Sequence, residues 1–123
     1  MKVIATKNAP AAIGPYSQAV DVGEFVFVSG QIPVNPENGE IPEGISAQTK
    51  QALCNVNAIL NEAGLSLKNA CKVTVYLSDM AEFAEMNACY AEFFEEPYPA
   101  RAAIAAAALP KGVKVEIDVI AKK

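Results

Sequence analysis

The chain has 123 residues, of which 52% are hydrophobic and 20% charged, and its formal net charge is −4. This composition indicates one globular domain and excludes a disordered chain. The negative net charge disfavours nucleic acid as a partner. No apolar run is long enough to span a membrane, and the N-terminus has no signal-peptide pattern. We therefore expect a cytoplasmic protein.

Histidine is absent, which removes the commonest general base, the usual partner of a nucleophilic serine or cysteine, and most zinc sites. The number of cysteines is odd, and none of them has C-x-x-C spacing: they are Cys54, Cys71 and Cys89. We therefore expect reduced thiols. Any catalysis must therefore rest on carboxylates, hydroxyls, amides, water and the few cations.

Short strands are predicted at residues 3–5 and 18–22, separated by a proline- and glycine-rich loop. The next strand, residues 25–29, is apolar at consecutive positions and is expected to be covered on both faces. Residues 30–45 form a long loop rich in proline, glycine and asparagine. Such a loop is either functional or simply solvated, and both interpretations remain open.

A first helix is predicted from Ser46, as N-cap, to Ala63, with Gly64 as its stop. Its apolar residues recur at three- and four-residue spacing, which places one stripe against a core. Cys54 is expected to pack near this stripe, whose members are Thr49, Leu53, Val56, Leu60 and Ala63.

Alternation predicts a strand at residues 71–78, and Asp79 with Glu82 then resembles a capping box at the start of a second helix. Asn87 lies near the buried face of that helix, where an amide bridges structural groups more often than it binds a ligand. We expect the helix to end before Pro97. Its buried stripe consists of Phe83, Met86, Tyr90, Phe93 and Phe94.

The C-terminal part contains an alanine-rich segment, residues 100–109, that local propensity allows as either helix or strand. A turn at residues 110–112 and an alternating strand at residues 113–120 follow. The whole order predicts an α+β fold with two helices on one face of a mixed sheet. The uncovered face indicates self-association.

Arg101 is the only arginine of the chain and lies among alanines. A guanidinium grips a carboxylate or phosphate with a planar fork of donors, which lysine lacks. Arg101 therefore either forms a structural ion pair, with Glu116 or Asp118, or binds an anion. Glu116 alternates with Val115 and Ile117, so its side chain is expected to face away from the helix-covered core.

Four separated motifs resemble the Rid, or YjgF-like, family of reactive-intermediate deaminases, also called the endoribonuclease L-PSP family. The resemblance covers nearly the whole chain. It is carried by Asn8 to Gln18, by Val28-Ser29-Gly30-Gln31-Ile32-Pro33, by Asn55 to Gly64 with Asn87 to Phe94, and by Ala100-Arg101 with Val115-Glu116-Ile117.

The resemblance implies a chorismate-mutase-like fold and a homotrimer whose sheets face inward, with residues 100–109 extended as a strand. It implies cofactor-free hydrolysis of amino-acid-derived enamines and imines, such as 2-aminoacrylate, to 2-keto acids and ammonia. Arg101 would hold the substrate carboxylate and Glu116 would position or activate water. Tyr16, Gly30 and Asn87 also fall at substrate-site positions of the family.

Ala103 departs from the family, which often has a cysteine beside the substrate at this position. This argues against covalent thiol chemistry, although the backbone N–H of Ala103 remains able to contact a ligand. Three other functions stay open: a ligand-binding or regulatory trimer without chemistry, the ribonuclease of the older family name, and a chorismate mutase. The acidic charge and single arginine count against a ribonuclease.

A hairpin between residues 101–109 and 113–121 would separate Arg101 from Glu116 by roughly 17–20 Å along the strands. No small substrate could touch both side chains of one chain across that gap. On this register we expect a site that is shared by two subunits.

Overall fold

Six strands and two helices make up the regular structure of residues 1–123, as described by a computed structural model. The strands are β1 (Lys2–Ile4), β2 (Ala19–Asp21), β3 (Phe25–Gln31), β4 (Ala70–Leu77), β5 (Ala100–Ala105) and β6 (Val115–Lys122). The helices are α1 (Ile45–Glu62) and α2 (Phe83–Ala91). The predicted α+β class, with a mixed sheet and two helices, is confirmed. Neither helix combines the length and apolar character needed to cross a membrane.

The sheet has the strand order β1-β2-β3-β6-β4-β5, and only the β4–β5 pair is parallel. The hairpin expected between the last two strands is therefore wrong. The chain leaves β4, crosses through α2 and returns as β5 beside β4, because a parallel neighbour needs such a crossover. The segment after β5 then passes over β4 to reach β6. The alanine-rich segment is a strand only at Ala100–Ala105.

The two faces of the sheet differ in what covers them. On β4 and β6 every second side chain is buried beneath the helices, and these are Val73, Val75, Leu77, Val115, Ile117, Val119 and Ala121. The intervening side chains point to the other surface, which we call the open face. It carries Phe27, Tyr76, Ile104, Glu116 and Asp118.

The open face has no cover within one chain. Phe27 is 43% exposed and Ile104 is 48% exposed, whereas Val26 and Val28 on the helix-covered face of β3 are buried. The expectation that residues 25–29 are covered on both faces is thus not met by a single chain. A large exposed apolar surface of this kind is typical of an interface.

The first helix begins one residue before the predicted cap. Gly44 is its N-cap, and Ser46 lies in the first turn with its hydroxyl donating to the Glu85 carboxylate at 3.0 Å. Gly64, with φ 77°, follows the helix as predicted. Cys54 is exposed rather than packed, because it lies on the side of α1 that points away from the sheet.

The second helix is shorter than its apolar stripe predicts. Asp79 accepts a hydrogen bond from the Ala81 N–H at 2.9 Å and caps a short 3-10 turn, Met80–Glu82, that precedes α2. Glu82 does not close a capping box, since its carboxylate accepts a bond from Lys114 at 3.0 Å. The helix ends at Ala91, six residues before Pro97.

Asn55 fastens the long loop after β3 to α1. Its side chain is 1% exposed, and its amide nitrogen donates to the carbonyl oxygens of Ile32 at 3.1 Å and Val34 at 3.0 Å. Gln51 donates to the Asn55 carbonyl at 2.9 Å. One buried amide thus donates to two loop carbonyls, and that of Ile32 also accepts from the Val34 N–H at 2.8 Å.

Replacement of Asn55 by alanine should therefore destabilise the chain by about 1–3 kcal/mol, because the Val34 carbonyl loses its donor while the Ile32 carbonyl keeps only the Val34 N–H. Urea denaturation at a fixed protein concentration measures this change. Asn61→Ala, an exposed position on the same helix, is the matched control and should stay within about 0.5 kcal/mol of the parent. Equal stabilities of the two variants would contradict the role of Asn55.

Candidate active site

Arg101 lies on the edge strand β5, on the side of the sheet that α2 covers. Its guanidinium carbon is 4.8 Å from the Tyr90 ring centroid and 5.5 Å from that of Phe83. Its Nη1 donates to the Asn87 carbonyl at 2.6 Å. The ion pairs of the chain are Lys68–Glu95, Lys114–Glu82 and Lys123–Asp21. Arg101 is in none of them, so its interpretation as the partner of Glu116 or Asp118 is wrong.

The surroundings of Arg101 fix its position without neutralising its charge. Two aromatic rings and one neutral amide restrict the guanidinium, and its other N–H donors remain available. An adjoining cavity of about 400 Å³ is lined by Asn87, Tyr90, Ala91, Tyr98, Pro99 and Arg101. Burial raises the pKa of Tyr90, while the positive charge of Arg101 acts to lower it. This arrangement suits the binding of a small carboxylate.

Ala103 follows two residues after Arg101 and shares its side of β5. Its methyl group packs against the core beside Val75. The Ala106 N–H donates to the Leu77 carbonyl of β4 at 2.8 Å. Because backbone groups alternate in direction along a strand, the N–H of Ala103 points to the free edge of the sheet. It is a second donor near the Arg101 fork.

Glu116 lies on the open face, opposite Tyr76 of β4. Burial raises its pKa, and the nearby negative charge of Asp118 raises it further. No side chain or backbone group of the chain donates a hydrogen bond to its carboxylate. A carboxyl group with raised proton affinity and no fixed donor is suited to proton transfer.

Gly30 gives the Glu116 carboxyl group its space. A Cβ atom at position 30 would lie 2.9 Å from the carboxyl carbon of Glu116 and closer still to one carboxyl oxygen. Any larger residue at position 30 would thus displace the carboxyl group of Glu116, so the glycine preserves the position of that group rather than an unusual backbone conformation. Tyr16, which is 50% exposed, lines a cavity of about 270 Å³ together with Gly30 and Lys111.

The predicted site residues therefore form two groups that do not meet within one chain. The arginine half-site consists of Arg101, Asn87 and Ala103, and the glutamate half-site consists of Glu116, Gly30 and Tyr16. Arg101 of β5 pairs with Val73 of β4, and Glu116 of β6 pairs with Tyr76 of β4. The two residues are therefore separated by three positions along the strands and by the width of two strand spacings. Their Cα atoms are about 14 Å apart, and their side chains leave opposite faces of the sheet.

Sequence reasoning placed Phe83 and Tyr90 in the core and missed their contact with Arg101. The available signal was their spacing around Asn87, which puts all three on one face of α2. Tyr76 and Asp118 were also missed as a bonded pair on the open face. No group of three His, Cys, Asp or Glu side chains is arranged to hold a metal ion.

Comparison with known proteins gives consistent matches over the whole chain. The family model described as Endoribonuclease L-PSP matches residues 6–123. A RutC family protein of Pyrococcus horikoshii is 55% identical, with 99% of this chain and 98% of that protein covered. The 2-iminobutanoate/2-iminopropanoate deaminase of Escherichia coli K12 is 52% identical, with 98% and 96% covered.

Solved structures agree with this relationship. The crystal structure of the YjgF gene product from E. coli has a TM-score of 0.96 and 51% sequence identity, and the match covers 100% of this chain and 99% of that chain. The crystal structure of E. coli TdcF with bound serine also has a TM-score of 0.96, at 48% identity and the same coverage.

The raised pKa of Glu116 predicts a specific dependence of stability on pH. A folded-state pKa above the ordinary value means that protonation stabilises the folded chain, and this stabilisation is lost as the pH rises through the folded-state value. Glu116→Gln should therefore gain stability relative to the parent as the pH rises above the ordinary glutamate pKa and through the raised folded-state value. Urea unfolding across this range measures the difference. A difference that does not change with pH would contradict the assignment, and Glu62→Gln at an exposed position is the matched control.

Proposed function

The chain belongs to the endoribonuclease L-PSP family, and from this membership we propose that it hydrolyses small carboxylate-bearing imines and enamines, such as 2-aminoacrylate, to 2-keto acids and ammonia. The observation that carries the proposal is an arginine held between two aromatic rings without a carboxylate partner. The carboxylate of the substrate is the missing partner.

The reaction needs little beyond orientation and proton transfer. An enamine is in equilibrium with its imine, and the imine carbon is already electrophilic. Arg101 binds the substrate carboxylate with two donors, and the N–H of Ala103 supplies another contact at the same edge. Glu116 takes a proton from water as the oxygen attacks, and the proton passes to the nitrogen. The hydroxyl proton of the resulting carbinolamine then passes to the nitrogen as the C=O bond forms and the C–N bond breaks, which releases ammonia and leaves the keto acid.

The neighbours of these two residues have supporting roles. Asn87 accepts a hydrogen bond from Arg101 and lines the same cavity, so it both fixes the guanidinium and borders the substrate. Gly30 leaves room for the carboxyl group of Glu116, and Tyr16 forms the wall beyond it. With alanine at position 103, the chain has no thiol beside Arg101 on β5, which favours a mechanism without a covalent thiol intermediate.

The active unit in this proposal is a homotrimer with sites between subunits. Arg101 and Glu116 leave opposite faces of one sheet, so a substrate can touch both only when a second copy supplies one of them. Joining the edge of one copy to the open face of the next is a head-to-tail contact, which closes into a ring of three when the rotation between copies is one third of a turn. The exposed Phe27 and Ile104 would be covered by this contact.

Two of the comparisons support the substrate class. The E. coli relative is named a deaminase of 2-iminobutanoate and 2-iminopropanoate, and the TdcF structure contains bound serine, a small molecule that carries a carboxylate. The family name also refers to a ribonuclease. The net charge of −4 and the single arginine favour a small carboxylate over a phosphate backbone. We place the reaction in the cytoplasm.

Arg101 variants test the proposal directly. 2-Aminoacrylate generated in the assay should be converted to pyruvate and ammonia by the parent protein, and Arg101→Ala should lower the rate by about 10²-fold or more because substrate orientation is lost. Arg101→Lys should also be impaired, since it keeps the charge and loses the fork. Lys68→Ala, which removes an exposed cation elsewhere, is the control.

Two outcomes would contradict the proposal. A parent protein that binds small carboxylates without accelerating hydrolysis would indicate the ligand-binding function instead. An Arg101→Ala variant that deaminates at the parental rate would remove the carboxylate contact from the mechanism. Size-exclusion chromatography of each variant shows whether a change in activity is due to dissociation of the assembly.

A further inference from the structure

The open face carries a hydrogen bond that the proposed mechanism does not use. The Tyr76 hydroxyl donates to the Oδ2 atom of Asp118 at 2.9 Å. Tyr76 lies directly opposite Glu116 in the β4–β6 register, whereas Asp118 lies opposite Thr74. The tyrosine thus reaches diagonally past its nearest neighbour to bind the next carboxylate along the strand.

As a result, the two carboxylates of β6 differ in their hydrogen bonding. Asp118 is held by a donor, and the contact raises the pKa of Tyr76, so the hydroxyl keeps its proton. Glu116 receives no hydrogen bond. The two residues are two positions apart on one face of the strand, which separates them by about 7 Å. A fixed negative charge at that distance favours the protonated form of its neighbour.

Other charged or titratable groups around Glu116 do not offset Asp118. On β3 the facing residue is Gly30, and on β5 the residue beyond Tyr76 is Ile104. Lys114, two residues earlier in the chain, is paired with Glu82. The remaining groups, Tyr16 and Lys111, line the cavity next to Gly30, and neither contributes to the raised pKa of Glu116. In the assembled site Arg101 of an adjoining copy faces Glu116 across the substrate.

We propose that Asp118, fixed by the Tyr76 hydroxyl, is a positioning residue that adds to the effect of burial and strengthens the proton affinity of Glu116. The proposal rests on the proposed function for its role in catalysis. A carboxyl group whose pKa is raised towards neutral pH is a stronger base towards water. It can also return the proton to the departing nitrogen. Asp118 touches neither substrate nor water in this role and acts only through Glu116.

The test uses Asp118→Asn, which removes the charge and keeps an oxygen that can accept from Tyr76. In the full-length protein without ligand, ¹³C NMR titration of the glutamate side chains gives the midpoint of Glu116, identified by its absence in Glu116→Gln. Asp118→Asn should lower this midpoint by roughly 0.5 to 1.5 pH units, as expected for a charge about 7 Å away. Glu62→Gln, which changes the net charge equally, should leave it in place.

The second measurement, the dependence of enzyme activity on pH, is independent of the NMR titration. As a base, Glu116 works deprotonated, so activity falls as the pH drops through its pKa. The acid limb of the kcat/KM profile should move to lower pH in Asp118→Asn by the same amount as the NMR midpoint. An NMR midpoint that does not move overturns the inference whatever the activity. A parent protein without deaminase activity overturns the proposed function and leaves the NMR result to decide the inference.

A double variant tests whether Tyr76 acts through Asp118. Tyr76→Phe should change the Glu116 midpoint in the parent and leave it unchanged in the Asp118→Asn background, because the hydroxyl donates its hydrogen bond to Asp118 and not to Glu116. Additive effects of the two substitutions would show a direct effect of Tyr76 on its cross-strand neighbour, and would overturn the arrangement proposed here.

Discussion

The pleat of one sheet is the constraint on which the rest of the structure depends. Successive side chains of a strand leave opposite faces, and the register of β5, β4 and β6 puts Arg101 and Glu116 an odd number of positions apart. The arginine therefore turns towards α2 and the glutamate towards the open face. A single chain holds two complementary half-sites that it cannot bring together, and the exposed apolar open face offers a surface on which a second copy would complete them in the proposed assembly.

Each half-site is incomplete in a way that the other can satisfy. The guanidinium of Arg101 is restricted by Tyr90, Phe83 and Asn87 but has no anion, so the contacts that orient it leave its charge free for a substrate. The carboxyl group of Glu116 has raised proton affinity and no donor, so it is free to exchange a proton with water. A carboxylate-bearing electrophile placed between them would meet a fixed cation on one side and a base on the other.

The sequence was informative where patterns were local. Alternation in β4 and β6 predicted their strands and the outward direction of Glu116, and the resemblance to the Rid family predicted the fold class and the strand at Ala100–Ala105. Prediction from the sequence failed where contacts between distant segments determine the structure. Alanines carry no packing signal that could distinguish β4 from β6 as the neighbour of β5. The start of α1 was misplaced because Ser46 is used for a contact with α2. The partners of Arg101 come from a helix stripe that looks like ordinary core.

Reassembly of mixed inactive subunits is the most direct test of a site shared between copies. Arg101→Ala and Glu116→Gln proteins, each inactive alone, are unfolded or dissociated together and allowed to reassociate. If one copy supplies the arginine and another the glutamate, some mixed assemblies contain an intact pair, and part of the deaminase activity returns. Mixed assemblies that form, as shown by native mass spectrometry, and remain inactive would place both groups of each site in one chain and contradict this account.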